Sequence, residues 1–177
     1  MQQSELAGAV AMVTGAGQGI GAAVTRALVA AGAVVAAVDR NPGPLAELAD
    51  ELSVRPVGTA PGGTASGGPV HPYLLDVSDA AAVESTVELM ESQLGPIGIL
   101  VNVAGILRVA PAVELTDQDW ADSFAVNTTG VFHTTRARGR RIGERGGRPR
   151  PPRGAHPAGG PPPREGAPPA RPRGAPP

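Results

Sequence analysis

Thr14-Gly15-Ala16-Gly17-Gln18-Gly19-Ile20-Gly21 is the stretch on which the fold turns. Before it, residues 8 to 14 (Gly-Ala-Val-Ala-Met-Val-Thr) read as a short strand, apolar on both faces. After it, Ile20, Ala23, Val24, Ala27, Leu28 and Ala31 recur at three- and four-residue steps, which predicts a helix from Gly19 to Ala31 ended by Gly32. Glycines between a strand and a helix let the backbone turn sharply and come close to a pyrophosphate. The free N–H groups and the dipole of the helix N-terminus favour that group's charge. Eighteen residues beyond Gly21, at the end of a second apolar strand (Val34 to Val38), stands Asp39. A carboxylate there accepts hydrogen bonds from the adenosine ribose hydroxyls and repels a 2′-phosphate, so NAD is expected over NADP.

Outward from this unit the pattern repeats. Asn41-Pro42-Gly43-Pro44 reads as a turn and Leu45 to Leu52 as a short helix. Arg55 to Pro69, rich in Gly, Pro, Ser and Thr, reads as a long loop that either only connects or shifts the adenine end of the site. A third strand is predicted at about residues 71 to 75, closed by Asp76. Ser78 is then expected to cap a helix whose Val83, Val87, Met90 and Leu94 share a face and which Gly95-Pro96 stops. Ile97 to Val101 is a fourth strand, and Thr116 is expected to cap a longer helix running to about Arg136. Apolar strands alternating with helices predict an α/β fold: a Rossmann-type doubly wound parallel sheet, here about four strands of it.

Composition divides the 177-residue chain in two. All 15 basic residues are Arg; residues 1–135 hold 4 of them against 14 acids, whereas residues 136–177 hold 11 against 2. Those last residues also carry 12 of the 20 prolines, and Ile142 is their only large apolar side chain. The expected organisation is a nucleotide-binding half-domain over residues 1–136 and a disordered Arg/Pro/Gly-rich tail over 137–177, which cannot bury enough apolar surface to offset its ordering entropy. The absence of Cys excludes disulfides and thiolate chemistry and favours a cytoplasmic setting. Met1-Gln2-Gln3-Ser4-Glu5 has no basic region leading into an apolar one, so no secretory signal is expected. The apolar run Ala22 to Val38, broken by Thr25, Arg26 and Gly32, falls short of a membrane span. His71, His133 and His156 show no metal-ligand spacing, so no metal is expected. The basic tail lacks aromatic residues to stack bases, so nucleic-acid binding stands as a minor alternative.

The spacing T-G-x-x-x-G-I-G, with Asp76-Val77 after the third strand, Asn102-Val103-Ala104-Gly105 after the fourth and Asn127 in the following helix, resembles the short-chain dehydrogenase/reductase family over roughly residues 5 to 136. That resemblance implies an oxidoreductase whose cofactor is held by Thr14, Gly15, Gly17, Gly19, Ile20, Gly21, Asp39, Asp76, Val77, Asn102 and Gly105, with Asn127 supporting a proton-relay water. Within the family, residues 102–108 with Asp119-Trp120 and Phe124-Ala125-Val126-Asn127 are most similar to enzymes that oxidise a dihydrodiol to the catechol 2,3-dihydroxybenzoate with NAD in siderophore biosynthesis. Arg108 is then the residue nominated for the substrate carboxylate, because a guanidinium grips one bidentately. The family's catalytic set also needs a Ser and a Tyr-x-x-x-Lys after Asn127. This chain has no Lys, its only Tyr is Tyr73, and its last Ser is Ser123. The chain is therefore expected to be inactive, at most a non-catalytic nucleotide-binding remnant. Its tail is expected to be an out-of-frame translation of a G+C-rich gene departing from the family near Arg136. The resemblance implies homo-oligomers formed through helices beside the active site, one of which is expected from the missing half, so that property is not carried over.

Overall fold

A computed structural model describes residues 5–54 and 70–144. Four strands, β1 (Val10–Thr14), β2 (Val34–Asp39), β3 (Val70–Leu74) and β4 (Ile97–Asn102), form one sheet in the order β3-β2-β1-β4, and every pairing is parallel. The doubly wound expectation holds. All of β1 and nearly all of β2 are buried, because helices cover both faces and both strands are paired on both edges. On one face Val10, Met12, Ala36, Val38 and Tyr73 meet Val83, Val87 and Met90 of α3 (Ala80–Leu94). On the other, Ala11, Val13, Val35 and Ala37 meet Ala22 and Val29 of α1 (Gly19–Ala30) and Leu45 and Leu48 of α2 (Pro42–Val54). Pro72 lies in β3, an edge strand among the described residues, where a residue without an N–H is tolerated.

The register aligns the carboxyl ends. Thr14 lies beside Val38 and Asn102, and Asp39 beside Leu74, so the loops leaving all four strands gather at one edge. The chain leaves β1 toward β2 on one side, while β4 lies on the other. The gap between β1 and β4 is the topological switch point where such sheets bind ligands.

Several local expectations shift. The first strand starts at Val10, not Gly8, whose φ of 77° belongs to a turn. Pro42-Gly43-Pro44 is the opening of α2, not a turn before it, since a first helical turn needs no N–H partner from proline. The cap of α3 is Asp79, which accepts from the amides of Ala81 and Ala82; Ser78 donates instead to Asp76. Thr116 does cap, in a reciprocal box with Asp119. The helix it opens runs as α4 (Asp117–Phe124), a π-helical segment (Ala125–Gly130) and α5 (Val131–Glu144).

That last helix passes the boundary expected at residue 136 by eight residues, ending at Glu144. Packing explains the extension: Ala137 is fully buried, and Arg138 donates from Nε to the Ile97 carbonyl (3.2 Å) and from Nη2 to that of Gly98 (2.8 Å). These carbonyls lie where the β1–β4 register slips by a residue, so the guanidinium ties α5 to that irregularity. Arg140 and Arg141 face Glu84 and Glu88 of α3 at 3.7 and 3.4 Å, the first an exposed pair that adds little. The rest of the expected tail, 145–177, and the loop 55–69 lie outside the described residues.

Candidate functional site

At the carboxyl edge a cleft of about 490 Å³ is lined by Gly15, Gly19, Ile20, Asp39, Asp76, Val77, Gly105 and Arg108 among the sequence-predicted residues. Its floor is the glycine turn. Gly15 has φ 66°, and a Cβ there would stand 2.8 Å from the backbone of Ala104, so glycine is what lets β1 and β4 close on each other. A Cβ on Gly21 would overlap the Gly15 carbonyl, which ties the third glycine to the packing of α1 on the turn. Gln18 precedes α1 without a side-chain cap, and no acid stands in the first helical turn. The helix thus presents free N–H groups and its positive end to the cleft.

Asp39 is nearly buried at the end of β2. Its Oδ2 accepts from the amide of Gly17 (2.9 Å) and its Oδ1 from that of Asn41 (3.0 Å). A Cβ on Gly17 would press on the same carboxylate oxygen, at 3.1 Å. The acid and the glycine turn, 22 residues apart, are therefore one unit. Asp76 accepts at Oδ1 from Ser78 twice, from the amide (2.9 Å) and the hydroxyl (2.7 Å). Those bonds, opposed by some desolvation and helped by the charge of Arg40, hold its carboxyl below the usual range. Val77 is buried against Gly130, and its carbonyl lies 3.1 Å from Nδ1 of His133.

Five predicted residues do not face the cleft. Gly17 and Gly21 shape the turn behind it. Thr14 is buried, and its Oγ1 accepts from the amides of Val103 (3.1 Å) and Ala104 (3.2 Å), stitching β1 to the end of β4. Asn102 accepts at Oδ1 from the hydroxyl of Thr134 on α5 (2.8 Å). Asn127, in the π-helical segment, gives its whole amide to one partner: Oδ1 accepts from the Ile106 amide (2.8 Å) and Nδ2 donates to the Ile106 carbonyl (2.9 Å). These three are fasteners for the loop after β4. The expectation that the Asn127 side chain supports a water thus meets an amide already paired at both ends.

Arg108 lines the cleft, but its guanidinium stands 3.7 Å from Asp119 and 3.8 Å from Asp122, both half-exposed. Thr134, Gly130 and His133 were not legible as site supports, since nothing in the sequence shows which face of the helix a π-helical segment turns inward. Tyr73 lies in the β3 core with its hydroxyl donating to Gln93 (2.7 Å), and burial pushes its phenol pKa up. No helix among the described residues is long and apolar enough to cross a membrane.

The arrangement fits a dinucleotide: a cradle that a Cβ would fill, an uncapped helix N-terminus and a fixed acid one strand over. Comparison with known proteins agrees. Residues 9–148 match the short chain dehydrogenase family. The chain is 40% identical over 137 residues to the 2,3-dihydro-2,3-dihydroxybenzoate dehydrogenase of Bacillus subtilis (strain 168), covering 77% of this chain and 48% of that protein. It is 42% identical over 142 residues to the D-threitol dehydrogenase of Mycolicibacterium smegmatis, covering 80% and 50%. Among solved structures, the apo form of LigO from Sphingobium sp. strain SYK-6 superposes with a TM-score of 0.71 at 31% identity, over 82% of this chain and 50% of that one. The chain spans about half the length of the curated relatives it matches. The match also runs past Arg136, where departure from the family was expected. Sheet order, glycine turn, strand-end acid and these likenesses together make the chain a member of the short-chain dehydrogenase family of nicotinamide-dependent oxidoreductases.

Proposed function

We propose that residues 5–144 are the cofactor-binding half of an NAD-selective dehydrogenase acting on a dihydrodiol, and that the 177-residue chain binds NAD without turning over substrate. The observation that carries the reading is Asp39, held by the amides of Gly17 and Asn41 at the mouth of the glycine turn. A ribose with free hydroxyls donates to this carboxylate. A 2′-phosphate would set like charges together in a partly desolvated site. Arg40 lines the same cleft and is the group that competes with this preference.

In this reading Gly15, Gly19 and the α1 N-terminus hold the pyrophosphate, Asp39 the adenosine ribose, and Asp76 with Val77 the base. Ile20 and Gly105 wall the nicotinamide end. Gly17, Gly21, Thr14, Asn102 and Asn127 position these groups without touching the cofactor. Bound NAD supplies a hydride acceptor. A Tyr-Lys pair to take the hydroxyl proton is not among the described residues: the sequence has no Lys, and Tyr73 is held in the core with a raised pKa. The substrate assignment rests on likeness to the Bacillus subtilis enzyme, named for a benzoate whose carboxylate suits the guanidinium of Arg108. The D-threitol enzyme, of comparable identity, makes a polyol the second reading. The dihydrodiol reading carries with it a cytoplasmic siderophore pathway.

Titration of the purified chain with NAD and NADP tests the cofactor half: NAD is expected to bind at least about tenfold tighter, and tighter NADP overturns the selectivity. Incubation with NAD and either 2,3-dihydro-2,3-dihydroxybenzoate or D-threitol is expected to give no NADH, and turnover of either overturns the inactivity. Translating the other reading frames downstream tests the origin of the tail. A Ser followed by Tyr-x-x-x-Lys is expected in one of them, and empty frames sink the frameshift idea.

A further inference from the structure

From the end of its π-helical segment onward, the last helix turns one face to the sheet: Gly130, His133, Thr134 and Ala137, at three- and four-residue steps. Ala137 enters the core with Val83 and Val87, and the Thr134 hydroxyl donates to Asn102 at the end of β4. The other two residues meet Val77, where the chain passes from β3 to α3. A Cβ on Gly130 would stand 2.6 Å from Cγ2 of Val77, so a glycine is what lets the helix come this close. Beside that approach, Nδ1 of His133 lies 3.1 Å from the Val77 carbonyl. A carbonyl only accepts, so this nitrogen carries the proton and donates. The other hydrogen bonds of residues 76–79 stay inside the loop or run to α3: Asp76 accepts at Oδ1 from Ser78 and at its carbonyl from the Asp79 amide, and Asp79 accepts from Ala81 and Ala82. Among the described residues, His133 is the hydrogen-bonding tie that reaches this loop from another part of the fold.

We propose that His133 is a positioning residue for the cofactor's base. It lies outside the cleft lining, whereas Asp76 and Val77 belong to it. The inference rests on the dinucleotide reading above, in which those two residues take the base. Oδ1 of Asp76 is spent on Ser78, which leaves Oδ2 to accept from the exocyclic amine of adenine. Where that oxygen stands depends on the backbone between β3 and α3, and His133 holds this backbone at the carbonyl of the next residue. The pyrophosphate and the ribose are held at β1 and β2, so the ring acts on discrimination between bases and leaves the rest of the ligand alone.

The test titrates the full chain with NAD and with nicotinamide hypoxanthine dinucleotide, in which a carbonyl oxygen replaces the exocyclic amine. NAD is expected to bind at least about tenfold tighter, because a carboxylate accepts from the amine and repels the oxygen. His133→Leu is expected to weaken NAD about fivefold and the hypoxanthine dinucleotide by less than about twofold, so that the preference shrinks. His133→Asn is expected to restore it, since the Asn Nδ2 donates from nearly the place of the imidazole Nδ1. Arg138→Met, which removes the tie of α5 to β4, is expected to lower the urea midpoint and leave the preference within about twofold. An unchanged preference in His133→Leu overturns the proposal, as does failure of His133→Asn to restore it, which would assign the ring to packing. An equal fall in Arg138→Met overturns it as general loosening of α5. Equal binding of the two dinucleotides by the unaltered chain overturns it by removing Asp76 from the base, and failure of NAD itself to bind overturns the cofactor reading instead.

Discussion

The loops after β1 and β4 leave neighbouring parallel strands at the same edge, yet they are built differently. Around β1, every strand residue is buried, three glycines are held by backbone approaches, and the strand-end acid bonds into the turn. Around β4, the strand is mostly half-buried, and the loop beyond it carries Leu107, Val109 and Val113 at 83, 84 and 95% exposure. α4 has no buried residue and presents Trp120 and Phe124, stacked at 4.5 Å, to solvent. β1 is interior to the sheet, whereas β4 is an edge among the described residues. A site half built on interior strands is completed by the chain's own backbone. The half built on the edge leaves apolar area that isolated surface residues do not explain.

The largest expected effect strikes the β1 side. Gly21→Val forces a branched side chain onto the Gly15 carbonyl and is expected to cost more than about 3 kcal/mol, read as loss of the cooperative urea transition. Gly139→Ala on α5, where a Cβ meets nothing, is expected to gain about 0.5–1 kcal/mol. Similar costs at both glycines would break the contrast.

Thr14→Val tests the stitch between the two regions. It strips the acceptor from the amides of Val103 and Ala104 and is expected to cost about 2–3 kcal/mol, with Thr14→Ser recovering most of it. A shift in urea midpoint below a fifth of that size would show the two loops to be independent.

Asp39→Ala should weaken NAD about 10- to 100-fold by removing a charged acceptor, whereas Arg108→Ala should leave NAD within about twofold, both by titration. Equal losses would move the cofactor toward the β4 side.

Acid unfolding reads smaller terms. Hydrogen bonds from Ser78 hold the carboxyl of Asp76 down, and those from Thr116 do the same for Asp119. A pKa lowered on folding gives stability that is full above the unfolded value of about 3.9 and lost as pH falls through the folded one. Asp76→Asn and Asp119→Asn are each expected to flatten the pH profile of the melting temperature below about pH 4, without changing the slope above pH 5. A changed slope near neutrality would contradict the assignment.

The smallest effect is expected at Trp120→Ser, within about 0.5 kcal/mol because the ring is 67% exposed, together with lower light scattering at high concentration. A large loss of stability would show the β4 side to be as self-contained as the β1 side.

Much of this was legible in the residues themselves. The glycine turn, Asp39, the apolar strands and the face of Val83, Val87 and Met90 rest on local rules, since spacing fixes a helix face and glycine marks a close backbone approach. The sequence therefore determined the α/β alternation, the glycine turn with its strand-end acid, and the lack of a Tyr-x-x-x-Lys. Tertiary structure alone decided that Thr14, Asn102 and Asn127 serve as fasteners, because each spends its polar atoms on a partner 32 or fewer residues away or, for Thr14, across 89 and 90. It also decided that the last helix reaches Glu144, through Arg138 on the Ile97 and Gly98 carbonyls beside a register slip. A side chain's type states what bonds it can make; only the packed chain states which partner arrives first, and a π-helical turn changes that answer without leaving a mark in the spacing.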